Sequence, residues 1–326
     1  RASPLGIFMD LREEYGDIVY LRLGNLSSYV LYHPEQLESV LVKNHRSYMK
    51  DQVTRDLSTM LGQGLLTSNG TYWQQQRKLV APPLQRHHIQ RFAKTMSEES
   101  FSFRHEMDLD SEVDVVPLMM KLTLTIVGET LFGSNVESTA HAMGEALEVV
   151  MDAFISEQRT WQRVIPKFVP TPNRKRVQKA CDAIEAVLYE IITERRKEKE
   201  EREDLLSRLL MACDEDGIGM TDEQLRDECI TLFVAGHETT ALALSFTLYL
   251  LAKHPEIQER LYQETLCQLG GKPPSFEDLE NLPFVDAVIS ESLRLYPPAY
   301  IIGREAMEET TIGPYKAPKG MQILIQ

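Results

Sequence analysis

The sequence predicts a mainly α-helical fold with a small β-sheet. Three observations carry that prediction. Helical periodicity fills most of the chain between residues 34 and 295. Residues 221–253 form one long segment that is apolar nearly all round, as suits a helix crossing the middle of a large helical body. Strand-like runs occur only near the two ends, so a small sheet must be built from both.

Each element has a local cause. Residues 4–15 read as a short amphipathic helix. Residues 18–23 and 29–32 read as strands joined by a Gly24-Asn25 turn. Pro34 opens the next helix, at a position where its missing N–H costs nothing. Residues 62–70 read as a loop, followed by a helix carrying Trp73 and Arg77 toward Pro82. Further helices are predicted at 84–107, 116–132 and 137–159. A proline-rich connector follows at 165–173, then a long helix at 174–202.

Residues 194–204 are eleven consecutive charged residues with opposite charges at i,i+4, as in Arg196/Glu200 and Glu198/Arg202. They predict a solvated helix end. Thr221 and Gln224 fit a capping box for the central helix, which stops before Pro255. Helices at 255–269 and 282–295 and short strands over 300–326 complete the chain. A single domain over residues 1–326 is expected.

Composition excludes several classes. Lys plus Arg number 35 against 49 Asp plus Glu, a formal net charge of −14, which argues against nucleic acid as a partner. The best apolar run, residues 241–252, is shorter than the roughly 20 residues of a membrane span. No signal peptide opens the chain. Arg1 rather than Met stands first, so the start is expected to be cropped. A cytoplasmic location is the expectation, with an anchor ahead of Arg1 left open.

None of Cys181, Cys213, Cys229 and Cys267 forms a C-x-x-C pair, so a zinc ribbon is disfavoured and reduced thiols are expected. His237-Glu238 opens a zincin-like motif, but Ala241 replaces its second histidine. Asp108, Asp110 and Glu112 resemble a calcium loop, but Val113 stands where that loop needs glycine. Gly62-x-Gly64 lacks the third glycine of a dinucleotide fingerprint.

Three constellations remain. The central helix contains Ala235-Gly236-His237-Glu238-Thr239-Thr240. Glycine and adjacent threonines are poor helix formers, and threonine hydroxyls can bond back to carbonyls, so local unwinding is expected there. Glu291-x-x-Arg294 places an acid and a base on one helical face. Trp73-x-x-x-Arg77 places an indole N–H beside a guanidinium, a pairing that suits an anion.

In that order and approximate spacing the three motifs resemble the cytochrome P-450 family, from the first helix to Gln326. His254-Pro255-Glu256 fits as well. The A-G-H-E-T-T form is most similar to soluble bacterial and fatty-acid-hydroxylating branches.

The resemblance implies a P-450-like fold and a heme cofactor. Trp73 and Arg77 would hold one heme propionate and Arg304 another. Ala235 and Gly236 would leave room for dioxygen. Glu238 and Thr239 would be the catalytic acid–alcohol pair that delivers protons. Glu291 and Arg294 would be a structural core pair. Phe233, Ala299, Tyr300, Ile301 and Ile302 would face a lipophilic substrate, together with residues 49–66 and 154–168. The implied reaction inserts one oxygen atom of O2, with electrons from NAD(P)H through a flavin or iron–sulfur redox partner.

The family's iron ligand is a cysteine in a loop of the type F-x-x-G-x-R-x-C-x-G, and these residues contain none. The thiolate is therefore expected beyond residue 326, in a fold truncated at its C-terminus and inactive as this piece alone. Two rival expectations stand beside the monooxygenase: a peroxide-driven hydroxylase on the same scaffold, and a non-catalytic remnant that binds no heme.

Overall fold

The computed structural model describes residues 4–23, 26–106, 112–133, 137–159, 171–198 and 202–326. The Gly24-Asn25 turn, Asp108 and Asp110, most of the 165–173 connector and the Arg196/Glu200 pair lie outside the described residues. The chain divides into two compact units.

The first unit comprises residues 1–59, 66–74 and 299–326. Helix α1 (Pro4–Tyr15) leads into strands β1 (Ile18–Leu23) and β2 (Leu26–Leu31). Helix α2 (Pro34–Glu38) starts at the proline, and the His33 ring accepts the Glu35 N–H as its cap. Strand β3 (Tyr48–Lys50) precedes helix α3 (Gln52–Asp56), which Asp51 caps by accepting the Thr54 N–H. The C-terminal strands are β4 (Ile302–Ala306), β5 (Thr310–Ile312), β6 (Tyr315–Ala317) and β7 (Gln322–Ile325).

The main sheet has the order β1-β2-β7-β4-β3 and β5 pairs with β6, so both chain ends build it as the sequence predicts. Parallel β2 and β7 join the two ends, with Tyr29 opposite Ile323. One core beside it gathers Leu31, Val40, Tyr48, Ile312 and Ile323.

The second unit comprises residues 60–65 and 75–298. Short helix α4 (Ser58–Leu61) and helix α5 (Gly70–Val80) each have residues in both units. The rest is helical: α6 (Arg86–Phe103), α7 (Val115–Phe132), α8 (Glu137–Arg159), α9 (Pro172–Lys197), α10 (Leu205–Met211), α11 (Asp222–Lys253), α12 (Pro255–Leu269) and α13 (Pro283–Leu295).

The capping box at the start of α11 is fully formed. Thr221 accepts the Gln224 N–H at 3.2 Å, and Gln224 accepts the Thr221 N–H at 2.8 Å. The helix has 32 residues, about 48 Å at 1.5 Å per residue. It packs against α7, α9, α10, α12 and α13, so it is the central helix of this unit. Helices α7 and α11 are each long and apolar enough to cross a membrane by length and composition. They pack on each other inside the helical unit.

Two expectations are corrected here. The charged run at 194–204 is not simply a solvated end. Helix α9 stops at Lys197, and Arg195 and Asp204 are buried. The Arg195 guanidinium donates to Asp204 Oδ1 at 2.6 Å, to Ser207 Oγ at 2.6 Å and to the Phe132 carbonyl at 2.8 Å. A buried ion needs partners of this kind, and Asp204 also caps α10. The second correction concerns α11, which stays helical through residues 235–240. The bond back from Thr239 reaches the carbonyl four residues earlier, which an intact turn accommodates.

Candidate active site

The two sides of α11 differ at residues 233–241. Ala235, Thr239 and Thr240 are exposed, on a helix whose neighbouring Phe233 and Ala241 are fully buried. The Thr239 hydroxyl donates to the Ala235 carbonyl, one turn earlier on the same face. This is a small-residue face carrying one oriented hydroxyl.

Gly236 points elsewhere. A Cβ added there would lie 3.1 Å from Val127 Cγ2 on α7. Its missing side chain lets the two helices approach, rather than leaving open space. The His237 ring nitrogen meets the Met120 carbonyl at 3.2 Å, again on α7. Burial holds the His237 imidazole below its ordinary pKa, so it is kept neutral. Phe233 is placed in the core, its ring 6.3 Å from that of Phe132 and 6.1 Å from that of His237.

Glu238 and Thr239 are neighbours in sequence but not in direction. Val234, His237 and Glu238 line a cleft against α7 and α8. At 100° per residue that side of α11 lies roughly 120° from the Ala235/Thr239 face. The acid and the alcohol therefore open on different sides of the helix.

The approach to this helix is clamped in a way the motifs do not announce. Asp227 and Glu228 are buried, and their carboxylates accept backbone N–H groups from a loop. Gln63 N–H donates to Asp227 at 2.5 Å and Leu65 N–H to Glu228 at 3.1 Å. Arg226 donates to Asp227 and Glu185. Burial raises the Asp227 pKa, against the lowering effects of the Gln63 amide and Arg226. Gly62 sits at φ +77°, and a Cβ there would overlap the Asp227 carboxylate. A Cβ on Gly64 would overlap the Thr231 hydroxyl. The Gly62-x-Gly64 pair is thus explained by close approach to α11.

In the sheet unit, Arg304 pairs in register with Lys50 across β4 and β3. Directly opposed residues share a face, so two cations stand side by side. The Lys50 ammonium lies 5.7 Å from the Trp73 ring centroid and donates to the Ser68 carbonyl at 2.8 Å. The Lys50 N–H is accepted by Asn69 Oδ1 at 3.0 Å. Arg304 donates to the Gly303 carbonyl at 2.8 Å. Its pKa is lowered by burial and partly restored by Asp51. A half-buried guanidinium on the strand paired with that of Lys50, near the Trp73 indole, is the kind of cluster that can hold an anionic oxygen group.

Sequence reasoning named Trp73 and Arg304 but missed Lys50, whose place is set only by strand register. Arg77 is exposed on α5, one turn beyond Trp73. Ala299, Tyr300 and Ile302 are exposed and Ile301 is half-buried.

Glu291 and Arg294 form their pair on α13 through two bonds of 2.7 Å, and Arg294 holds the Glu291 carboxyl below its usual pKa. The pair is exposed, with side-chain accessibilities of 66% and 54% for Arg294 and Glu291. It is not a core pair among the described residues. Beside it, Thr247 on α11 donates to the buried Ser292 Oγ at 2.8 Å, and the Phe246 and Tyr296 rings stack at 5.2 Å.

A profile of the cytochrome P450 family matches residues 1–326. The chain belongs to the cytochrome P450 family. It is by that membership an oxidoreductase of the heme-dependent monooxygenase class. Pentalenene oxygenase of Streptomyces avermitilis is 33% identical over 97% of this chain and 70% of its own length. Cyclooctat-9-en-7-ol 5-monooxygenase of Streptomyces melanosporofaciens is 33% identical over 95% and 68%. A cytokinin hydroxylase of Arabidopsis thaliana is 31% identical over 98% and 64%. The chain thus spans about two-thirds of the length of these relatives.

The four cysteines differ in burial. Cys229 is fully buried in α11 and burial pushes its pKa far up. Cys181 is half-buried, with its thiol raised by burial and donating to the Met60 carbonyl at 3.6 Å. Cys213 and Cys267 are exposed, next to α10 and on α12.

Proposed function

We propose that this chain acts in the monooxygenation of a lipophilic substrate, with electrons from NAD(P)H delivered by a flavin or iron–sulfur partner. The observation that carries the proposal is the Thr239 hydroxyl, held on the Ala235 carbonyl on the exposed face of α11. The sum of the reaction is one oxygen atom to the substrate and one to water, at the cost of two electrons and two protons.

Heme, when bound, supplies the iron at which dioxygen is activated. Its propionates suit the cations found here. Lys50 and Arg304, with the Trp73 indole, offer charge and donors in the sheet unit. Arg77 on α5 is carried as a propionate ligand by the family resemblance. None of the four cysteines is assigned as the iron ligand.

The chain's own residues then have distinct tasks. Ala235 keeps the helix face flat. Thr239 moves a proton: turned from the Ala235 carbonyl, its hydroxyl donates to the oxygen being reduced while its own oxygen accepts a proton from water. Glu238 takes protons from solvent at its cleft, on a different side of α11 from that water, so a chain of further waters has to link the two. Ala299, Tyr300, Ile301 and Ile302 offer a mostly apolar surface to the substrate. Two relatives are named for oxygenating pentalenene and cyclooctat-9-en-7-ol, in line with an apolar substrate.

The test is turnover under isotopically labelled dioxygen with NADPH and a reductase. One labelled atom in the product and one in water is the expected result. Equal turnover from hydrogen peroxide without a reductase would replace the proposal with a peroxide-driven hydroxylase.

A further inference from the structure

We propose that Asp51 is the buried counter-charge of the Lys50/Arg304 pair, and that it weakens that pair's hold on an anionic group from the opposite face of the sheet. The inference rests on the reading of Lys50 and Arg304 as cations for the heme propionates.

Strand pairing sets the geometry. Lys50 and Arg304 are directly opposed across β3 and β4, so their side chains leave the sheet on one face. Gly303 precedes Arg304 in β4, so its missing Cβ would point to the other face. Asp51 fills that direction: a Cβ added to Gly303 would overlap the Asp51 carboxylate. Gly303 is not at a positive φ, so close approach, not backbone freedom, is what calls for glycine there.

Asp51 is only 5% exposed. Capping α3 occupies one of its oxygens. Oδ1 accepts the Thr54 N–H at 3.3 Å and also the Thr54 hydroxyl. No hydrogen bond reaches Oδ2 among the described residues. A cap needs only one acceptor, and Asn or Ser supplies it equally well. A buried carboxylate, by contrast, calls for a positive charge nearby.

Arg304 supplies that charge. Its guanidinium is half-buried, donates to the Gly303 carbonyl at 2.8 Å and makes no ion pair among the described residues. Burial lowers the Arg304 pKa and Asp51 works against that lowering, so the two charges act on each other across the strand. Glu305, the acid next to Arg304, is committed elsewhere, to Arg55 at 2.6 Å and Gln322 at 2.8 Å.

Asp51 stands behind the strand, so it does not take the place of an anion in front of it. It acts by its field alone, subtracting from the positive charge of Lys50 and Arg304. Salt screens such a buried charge far less than an exposed one. For a bound heme the sign is fixed. Positive surroundings favour both the propionates and the added electron of the reduced iron, and a buried carboxylate opposes both.

The experiment measures the reduction potential of the bound heme and its rate of loss to apomyoglobin. It uses holoenzyme carrying Asp51→Asn, Thr54→Val or Arg304→Gln. Asparagine keeps the cap and the volume, so the fold should persist. Asp51→Asn should make the reduction potential more positive and slow heme loss at least about threefold. Thr54→Val removes a contact of Asp51 but no charge, and should leave both unmoved. Arg304→Gln should speed heme loss, which tests the propionate reading separately. An unchanged reduction potential or faster heme loss in Asp51→Asn, or equal shifts in Thr54→Val, would overturn the proposal alone. Unchanged heme loss in Arg304→Gln would overturn the propionate reading and the proposal with it.

Discussion

Two arginine–carboxylate pairs in the helical unit have the same chemistry and opposite surroundings. Arg294 grips Glu291 on the open surface of α13. Arg195 grips Asp204 in the interior, where their side chains are only 6% and 3% exposed. The first is announced by its spacing and belongs to a recognisable motif. The second hides inside a run of charges that looks like a solvated tail. The comparison teaches that spacing identifies which groups can meet, while burial decides what the meeting is worth. In water the pair competes with hydration and salt. In the interior each ion depends on its partner, and losing one leaves the other stranded.

The sharpest way to break the comparison is to remove one acid from each pair. Asp204→Ala should cost about 3–5 kcal/mol, because it strands the Arg195 guanidinium and removes the cap of α10. Glu291→Gln should leave the urea midpoint of unfolding essentially unmoved. Equal effects in urea titrations of the two variants would refute the distinction.

A smaller loss tests the clamp on α11. Gly62→Ala adds a Cβ against the Asp227 carboxylate at a left-handed backbone position. It should cost about 1–3 kcal/mol. Gly217→Ala also sits at a positive φ but has open space around it. Thermal melts of the two variants should therefore separate the steric part from the backbone part, with Gly62→Ala the more damaging.

A smaller effect still concerns His237. Burial holds its folded pKa below the ordinary value of about 6.5. As pH falls through 6.5, the unfolded chain takes up a proton that the folded one refuses. Its contribution is full above pH 6.5 and is lost below it, until the folded pKa is passed. His237→Asn should therefore flatten the dependence of stability on pH between 6.5 and 5. Parallel pH profiles for variant and wild type would contradict the assigned burial effect.

Much of the fold is legible in local signals. The capping box at Thr221, the proline starts at Pro34 and Pro255 and the alternating end strands fix most helices and strands to within a few residues. The site is legible where chemistry sits in a single element, as with Thr239 and Ala235 on one helical turn. It fails where position depends on distant chain. Lys50 joins Trp73 and Arg304 only because β3 pairs with β4. Gly62 and Gly64 make sense only beside Asp227 and Thr231, far along the chain. Phe233 is apolar and near the motif, but its orientation toward Phe132 depends on how α7 packs. Glu238 reads as the partner of Thr239 because the two are adjacent, although a 100° step of the helix separates their directions.

The central claim is that the Thr239 hydroxyl on the open face of α11 delivers protons during oxygenation. It is tested most directly by measuring NADPH consumed, product formed and hydrogen peroxide released by holoenzyme carrying Thr239→Ala, with Thr239→Ser as the conservative control. The account predicts unchanged heme content, a fall in product per NADPH of about tenfold or more with a matching rise in peroxide, and recovery in the serine variant. Unchanged coupling in Thr239→Ala would contradict it.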